Sequence, residues 1–435
     1  MTQAHIRTPH PAAISDQEYQ ARLDRLANHP ALAEENVQLK PSEASGVQHI
    51  LLGLGAVGLA ATVAGGFVYD LQHALASFEI AVFSSTAMAL GALFFVMVYH
   101  MTNAAWSTTI RRQYENLASM VPICMAFVAV ALAFEIFSGG VLLQWIGMDP
   151  HSDHLLEHKS GYLNKAFLII RFLIYFGVWT FLAVRLRAWS VEQDRSGDRW
   201  LTQRCRFNSG WGLLAFALTT AFFAFDFLMS MDFRFYSTMW GVYYFAGAAF
   251  SSLAVLAMLF SWLKIRGKLD ELVMPEHLHD HGKLMFAFTV FWAYIAFGQY
   301  FLIWYGNIPE ETAYFVFRRQ GGWMTLGTVL IAVHFIIPFF LLISRVPKRA
   351  PKLLGALAAI LVVAHIIDIT WIIKPMISAG EGRQVNPMSW WVDVAAVLGV
   401  YGVLGFFMLK KVSSVALIPM KDPRLEHALH HVNYV

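Results

Sequence analysis

Ten apolar runs, each about 20 residues or longer, constrain this chain more than any other feature. A transmembrane α-helix needs roughly 20 apolar residues, whereas a transmembrane β-strand needs about 10 residues of alternating polarity, a pattern that the chain lacks. We therefore predict an all-α integral membrane fold with ten transmembrane helices. The predicted spans are residues 47–69, 78–101, 117–146, 164–186, 206–229, 238–263, 282–306, 322–344, 351–373 and 389–411.

The overall composition agrees with this reading. The chain has 435 residues, of which 57% are hydrophobic and only 14% charged, and this is too apolar for a soluble protein of its size. Residues 1–46 are predicted to be a cytoplasmic arm rather than a signal peptide, 47–411 the membrane domain, and 412–435 a cytoplasmic tail.

The basic residues predict the orientation. Of the 32 Lys and Arg, 24 lie in the two termini and in the loops that share their side of the membrane. Because cytoplasmic loops are enriched in Lys and Arg, both termini are predicted to be cytoplasmic.

The chain has two cysteines, Cys124 and Cys205. Cys124 lies inside the third predicted span and Cys205 on the cytoplasmic side, so a disulfide is not expected. An iron–sulfur cluster needs about four thiolates, so the chain does not hold one.

Ionisable residues inside the spans are the candidate functional groups, because burying a charge in a membrane is costly. Glu135 and Arg171 lie at matching depths on consecutive spans and are predicted to form an ion pair. That pair is either a structural clamp or part of a proton path.

Further acids lie towards the outer face. Asp226 is a candidate proton acceptor or exit group near the outer end of span 5. His365 and Asp368 are three residues apart on span 9, so they share a helix face and form a candidate proton-passing pair. Glu79 is expected to be a solvated acid at the start of span 2.

The inner half of the membrane has fewer polar groups. His334 is predicted near mid-membrane and is a candidate member of the proton path, although taken alone it is better explained as a satisfied core histidine. His100, Lys283, Tyr294 and Gln299 are the remaining groups that could carry protons from the cytoplasm.

Acids near the outer face suit a quinol, which releases two protons on oxidation and needs a base within hydrogen-bond distance. Flat aromatic walls around an apolar slot would complete such a site beside Asp226. An ordinary interfacial aromatic belt is the alternative for each ring. The candidate wall residues are Phe233, Tyr236, Trp240, Tyr243 and Tyr244.

Bound haem and metal are not expected. His334 and His365 are predicted on different helices at different depths, which makes a poor axial pair for haem. The run HLHDHGK holds His277, His279 and His281, but histidines in this spacing without cysteine are a weak metal signal at what reads as a helix start.

Two runs carry a resemblance to a known family. DFLMSMDFRFYSTMWGVYYFAG (226–247) and HLHDHGKLMFAFTVFWAYIAFGQYFLIWYGNIPEET (277–312), together with the ten-span layout, resemble the polysulfide-reductase (NrfD-like) membrane subunits. The resemblance is strongest to the second large membrane subunit of alternative complex III, a quinol:cytochrome c oxidoreductase.

The resemblance implies two four-helix bundles, spans 2–5 and 6–9, with peripheral helices. It also implies a complex in a bacterial plasma membrane, with a sister NrfD-like membrane subunit, a periplasmic iron–sulfur subunit, haem c subunits and a terminal oxidase as partners. No cofactor would be tightly bound, and menaquinone or ubiquinone would be the quinone. The sister subunit is the better candidate for quinol oxidation, which leaves this chain a proton path, a degenerate quinone site, or both.

Two alternatives from other functional classes stay open. A stand-alone proton-coupled transporter would use the same acids, although such proteins often have broken helices at the midplane. A structural anchor for partner subunits would need none of them.

Overall fold

The computed structural model describes residues 15–379 and 389–432, and this part of the chain is helical without a β-strand. The helices, in chain order, are α1 (Asp16–Ala27), α2 (Glu34–Val37), α3 (Pro41–Val68), α4 (Leu71–Met101), α5 (Thr108–Ala118), α6 (Val121–Ser138), α7 (His154–Lys159), α8 (Lys165–Ser196), α9 (Trp200–Phe227), α10 (Trp240–Ile265), α11 (Pro275–Gly306), α12 (Pro309–Arg318), α13 (Gly321–Ile331), α14 (Ile337–Ile343), α15 (Arg345–Arg349), α16 (Pro351–Ala379), α17 (Trp390–Val412) and α18 (Leu425–Leu429).

Within residues 15–379 and 389–432, ten helical segments are long and apolar enough to cross a membrane, which confirms the predicted fold class. They are α3, α4, α5–α6, α8, α9, α10, α11, α13–α14, α16 and α17. The chain is therefore a multi-pass helical membrane protein.

The spans form two four-helix bundles with peripheral helices. The first consists of α4, α5–α6, α8 and α9, and the second of α10, α11, α13–α14 and α16. Helices α4 and α10 pack against each other where the bundles meet, so α4 is buried over almost all of its apolar stretch. The remaining spans, α3 and α17, form a close pair that packs on α4.

Small residues bring α3 and α17 together. A Cβ at Gly58 would lie 2.4 Å from the backbone nitrogen of Gly399, and a Cβ at Gly402 would lie 2.6 Å from the backbone nitrogen of Gly55. Such contacts are possible only between glycines, and they hold helices together in a bilayer through close backbone packing.

The third span ends earlier than predicted. Helix α6 ends at Ser138, whereas the apolar run suggested a helix up to residue 146. Gly139 and Gly140 both take positive φ angles of 80° and 87°, which a helix cannot continue through. Residues 139–147 therefore form a loop with short 3₁₀ turns.

Both terminal segments pack together at one end of the bundle, here called the tail side. The Tyr19 hydroxyl donates to the carbonyl of Lys421 (2.7 Å), and Arg25 pairs with Glu426 (2.9 Å). The opposite end is called the far side. Cys124 and Cys205 are buried free thiols, as predicted.

Candidate functional site

A buried ion pair joins α8 and α9 in the first bundle. The Arg171 guanidinium donates to both carboxylate oxygens of Asp226 (2.8 and 2.9 Å), and the Tyr175 hydroxyl donates to one of them (2.7 Å). Asp226 is fully buried and Arg171 is 6% exposed. A bidentate guanidinium holds the carboxylate in one geometry, so this pair is better suited to clamping two helices than to exchanging protons.

The predicted Glu135–Arg171 ion pair is therefore wrong. Glu135 instead accepts hydrogen bonds from the backbone N–H groups of Leu142 (3.0 Å) and Leu143 (3.1 Å), so it closes the loop that follows α6. Depth along the helix placed Arg171 opposite Glu135, but depth does not report which way each side chain faces, and Asp226 faces the guanidinium.

Glu79 is also not the solvated acid that was expected. Helix α4 begins at Leu71, seven residues before the predicted start, and Glu79 is only 2% exposed. One of its carboxylate oxygens has no hydrogen-bond partner among the described residues. Glu79 is therefore a buried proton-binding candidate on the far-side half of α4.

Another buried carboxylate, Asp368 on α16, lies inside the second bundle. It accepts hydrogen bonds from the Tyr243 hydroxyl of α10 and from the Trp292 indole N–H of α11 (3.1 Å). Asp368 is 1% exposed, and no described cationic side chain forms an ion pair with it. In contrast to Asp226, this carboxylate is held by neutral donors alone.

Two histidines complete this group, here called the Asp368 centre. Donor atoms of His334, His365 and Asp368 all lie within 4.8 Å of one another, so the prediction that the two histidines sit at different depths is wrong. Both rings are fully buried, and their nitrogens have no hydrogen-bond partner among the described residues. Each of the four spans of the bundle contributes to the centre.

Local backbone features position the two rings. His334 lies in a π-helical turn, Ala332–Ile336, and its ring stacks between Trp292 (centroids 3.7 Å apart) and Phe250 (4.3 Å). Gly247 of α10 lets His365 approach, because a Cβ there would lie 3.1 Å from the His365 ring. π-Turns of this kind often occur at functional sites.

A cluster that the sequence analysis missed lies at the far-side end of α16, the helix that carries Asp368. Lys374 pairs with Asp393 of α17 (2.7 Å) and contacts Ser77 (3.0 Å) and His73 (3.1 Å) of α4. Lys374 is 2% exposed, while the Asp393 side chain is 33% exposed. Span 9 was predicted to end at residue 373, and this boundary assigned Lys374 to an outer loop.

Most of the predicted quinol-wall residues are packed into the core. Trp240, Tyr243 and Tyr244 are buried, and Trp240 stacks on Tyr243 with centroids 5.4 Å apart. Phe233 is also buried and lines a cavity of about 140 Å³, whereas Tyr236 is 55% exposed. The rings of Trp240, Tyr243 and Tyr244 therefore fill space in the core.

The tail-side half offers few proton carriers among the described residues. The two ring nitrogens of His281 form hydrogen bonds with the Tyr114 hydroxyl (2.8 Å) and with the carbonyl of Leu253 (2.8 Å). Tyr294 is 69% exposed on the outside of the bundle, so its predicted place on an inward path is wrong. Gln299 accepts from Ser237 on the far-side half (2.8 Å), and His100 is buried without a described partner.

The HLHDHGK run lies in the first turns of α11, as its reading as a helix start predicted. His277 contacts the carbonyl of Ala428 (3.1 Å), and Asp280 contacts His431 (2.6 Å) and Lys283 (3.0 Å). These residues therefore dock the C-terminal tail on the tail side of the bundle.

Comparison of the chain with models of known protein families finds no match, and a search of curated proteins also finds none.

Proposed function

We propose that this chain is a proton-handling, NrfD-like membrane subunit of a quinol:cytochrome c oxidoreductase complex. It would lie in a bacterial plasma membrane with the tail side in the cytoplasm, as the Lys and Arg bias predicts. The observation that carries the proposal is the Asp368 centre, a buried carboxylate with neutral donors beside two histidines without partners.

The surroundings of Asp368 suit proton exchange. A buried carboxylate without a neighbouring cation is more stable when protonated, and a ring nitrogen that has no other partner can accept that proton. The donor atoms of His365 and His334 lie within 4.8 Å of the carboxylate, so one water between them would complete the transfer. The Tyr243 hydroxyl, which bonds the carboxylate, holds it in place for the transfer.

The Lys374 cluster supports an exit towards the far side. Lys374 lies six residues beyond Asp368 on α16, which is about 9 Å along the helix axis, so ordered water would have to bridge the gap. Asp393, which pairs with Lys374, is partly exposed and connects the cluster to the surface. A proton from the Asp368 centre would leave by this route.

Quinol oxidation itself is assigned to the sister subunit in this proposal. The aromatic residues near Asp226 are packed against one another, and Asp226 is held by Arg171. Neither arrangement leaves a base that is free to take a proton from a quinol, so we derive no quinol step in this chain.

Gentle native purification tests the proposed complex. We expect iron–sulfur and haem c subunits and the sister membrane subunit to co-purify with the chain, and a terminal oxidase where the assembly is complete. Purification of the chain alone, with solute uptake after reconstitution, would favour the transporter. Co-purification with proton movement unaffected by loss of Asp368 would favour the structural anchor.

Infrared spectroscopy of the purified protein tests the proton site. During a pH titration we expect the carbonyl band of a buried, protonated carboxyl group to change with pH, and Asp368→Asn to remove it. Asp368→Glu should restore a shifted band. A wild-type spectrum without such a band, or a band unaffected by Asp368→Asn, would refute the assignment.

The clustering of His334, His365 and Asp368 also favours a second candidate, a bound divalent transition metal, because two histidines and a carboxylate are a common zinc ligand set. Metal analysis of the purified protein distinguishes the two. If the wild-type protein holds one equivalent of metal and His334→Ala loses it, the Asp368 centre is a metal site and not a proton site.

A further inference from the structure

An apolar cavity of about 350 Å³ lies between α3, α4, α5–α6, α10 and α17, and its lining does not include His334, His365 or Asp368. It extends from Tyr401 to Leu409 along α17, which is about 12 Å by helical rise. Its walls include Leu51, Met88, Met120, Met258, Trp262 and Gly405. Because Met258 is 39% exposed, the cavity reaches the lipid-facing surface of the bundle.

The polar groups in the wall are already bonded within the protein. The Tyr401 hydroxyl donates to Ser84 (2.9 Å), the Ser85 hydroxyl to the carbonyl of Val82 (3.0 Å), and the Cys124 thiol to the carbonyl of Ser85 (3.9 Å). None of these side chains needs a ligand as partner, so a polar ring would lose its hydrogen bonds to water on entry. A hydrocarbon chain is the occupant that this wall fits.

Basic side chains surround the tail-side end of the cavity. The Arg266 guanidinium lies over the ring of Trp262, with its central carbon 4.6 Å from the ring centre. Lys410 and Lys411 are exposed and directly follow Leu409 in α17. The neighbouring acid Glu43 is paired with Lys268 (3.1 Å), so it does not cancel these charges.

We propose that this cavity binds one acyl chain of an anionic phospholipid from the tail-side leaflet, with the lipid phosphate held by Arg266 and Lys410. Basic residues at a membrane surface attract anionic headgroups, each by about 1 kcal/mol. The proposal rests on the cavity and its charges and does not depend on the role of Asp368.

Lipid retention by the purified full chain, or by its complex, tests the proposal. The protein is washed in detergent, supplied with equal amounts of phosphatidylglycerol and phosphatidylethanolamine, and the lipids that remain are quantified by mass spectrometry. We expect one phosphatidylglycerol per chain. Met258→Trp, which fills the cavity, should lower retention at least about tenfold, a change equivalent to roughly 1.4 kcal/mol.

Met324→Trp is the matched control, since Met324 is 58% exposed on the surface of another span and does not line the cavity. Lys410→Ala should lower the preference for phosphatidylglycerol about fivefold, while Lys352→Ala on α16 should not. The comparison of Lys410→Ala with Lys352→Ala still tests the proposal if Met258→Trp misfolds. Equal retention by both Trp variants, no preference for the anionic lipid, or retention of a quinone in place of phospholipid would each overturn the proposal.

Discussion

Asp226 and Asp368 show how the neighbours of a buried carboxylate decide what it can do. Both are almost fully buried on the far-side halves of their helices. Asp226 is held by a bidentate guanidinium, so its charge is neutralised within the pair. Asp368 is held by a hydroxyl and an indole N–H, which carry no charge, so this carboxylate can be neutralised by binding a proton.

This difference predicts that Asp226→Asn destabilises the protein whereas Asp368→Asn does not. Asp226→Asn leaves the Arg171 charge buried without its partner, and we expect the free energy of unfolding in detergent to fall by about 3–5 kcal/mol. Asp368→Asn keeps a polar group of the same size without stranding a charge, so its unfolding midpoint should stay near that of the wild type.

The double variant Arg171→Met/Asp226→Leu is the control, because it removes both charges and fills similar space. It should recover most of the stability that Asp226→Asn loses. If Asp226→Asn unfolds like the wild type, the pair is not the helix clamp described here.

At the level of single residues, the sequence predicted which ionisable groups lie inside the protein better than how they pair. Asp226, Arg171, His365 and Asp368 were all identified by their unusual location in apolar runs. Their partners depend on how the helices are rotated about their axes, and periodicity determines this poorly when a helix is apolar on all sides. His334 joined the Asp368 centre through a π-turn, which has no clear sequence signal.

Helix packing depends on glycine where α3 meets α17. We expect Gly58→Ala to lower the thermal unfolding midpoint, because the added Cβ would overlap the Gly399 backbone and overpacking costs about 1–3 kcal/mol. Gly53→Ala on the same helix is the matched control, since nothing lies within 4 Å of a Cβ there. An equal response of the two variants would argue against this close contact.

The C-terminal tail is fixed to the bundle by a buried acid. Asp422 accepts from Arg111 of α5 (2.5 Å) and from Arg424 (2.7 Å). Burial alone would raise the pKa of Asp422, but Arg424 and Arg111 outweigh burial and hold this pKa well below its usual range. Asp422→Asn should therefore release residues after 412 to limited proteolysis.

The pH dependence of this contact follows from the sign of the shift. A carboxyl whose pKa is lower in the folded state stabilises it above its unfolded pKa of about 3.9, and the contribution disappears as the pH falls through the folded value. Tail protection should thus be constant from about pH 8 to pH 5. Glu426→Gln is the control, since the Glu426 side chain is 28% exposed and its pairs with Arg25 and Arg22 are weaker than a fully buried pair. Loss of protection near neutral pH would contradict this role for Asp422.

The number and order of the spans followed from hydrophobic length alone, because a bilayer accepts little besides helices of that length. Their ends did not. Gly139 and Gly140 stopped α6 early, and α4 and α16 extended beyond their apolar cores, which placed Glu79 and Lys374 inside the protein.

For the molecule as a whole, the two bundles hold their acids in different states. The first bundle contains a neutralised ion pair, and the second contains the Asp368 centre with the Lys374 cluster beyond it. This difference supports a division in which the Arg171–Asp226 pair is structural and the Asp368 centre handles protons.

The ratio of protons released to electrons transferred tests that division most directly. It would be measured in vesicles containing the purified complex, with quinol as donor and cytochrome c as acceptor. We predict that Asp368→Asn lowers the ratio while electron transfer continues, and that Asp368→Glu restores it. An unchanged ratio in Asp368→Asn would contradict the account.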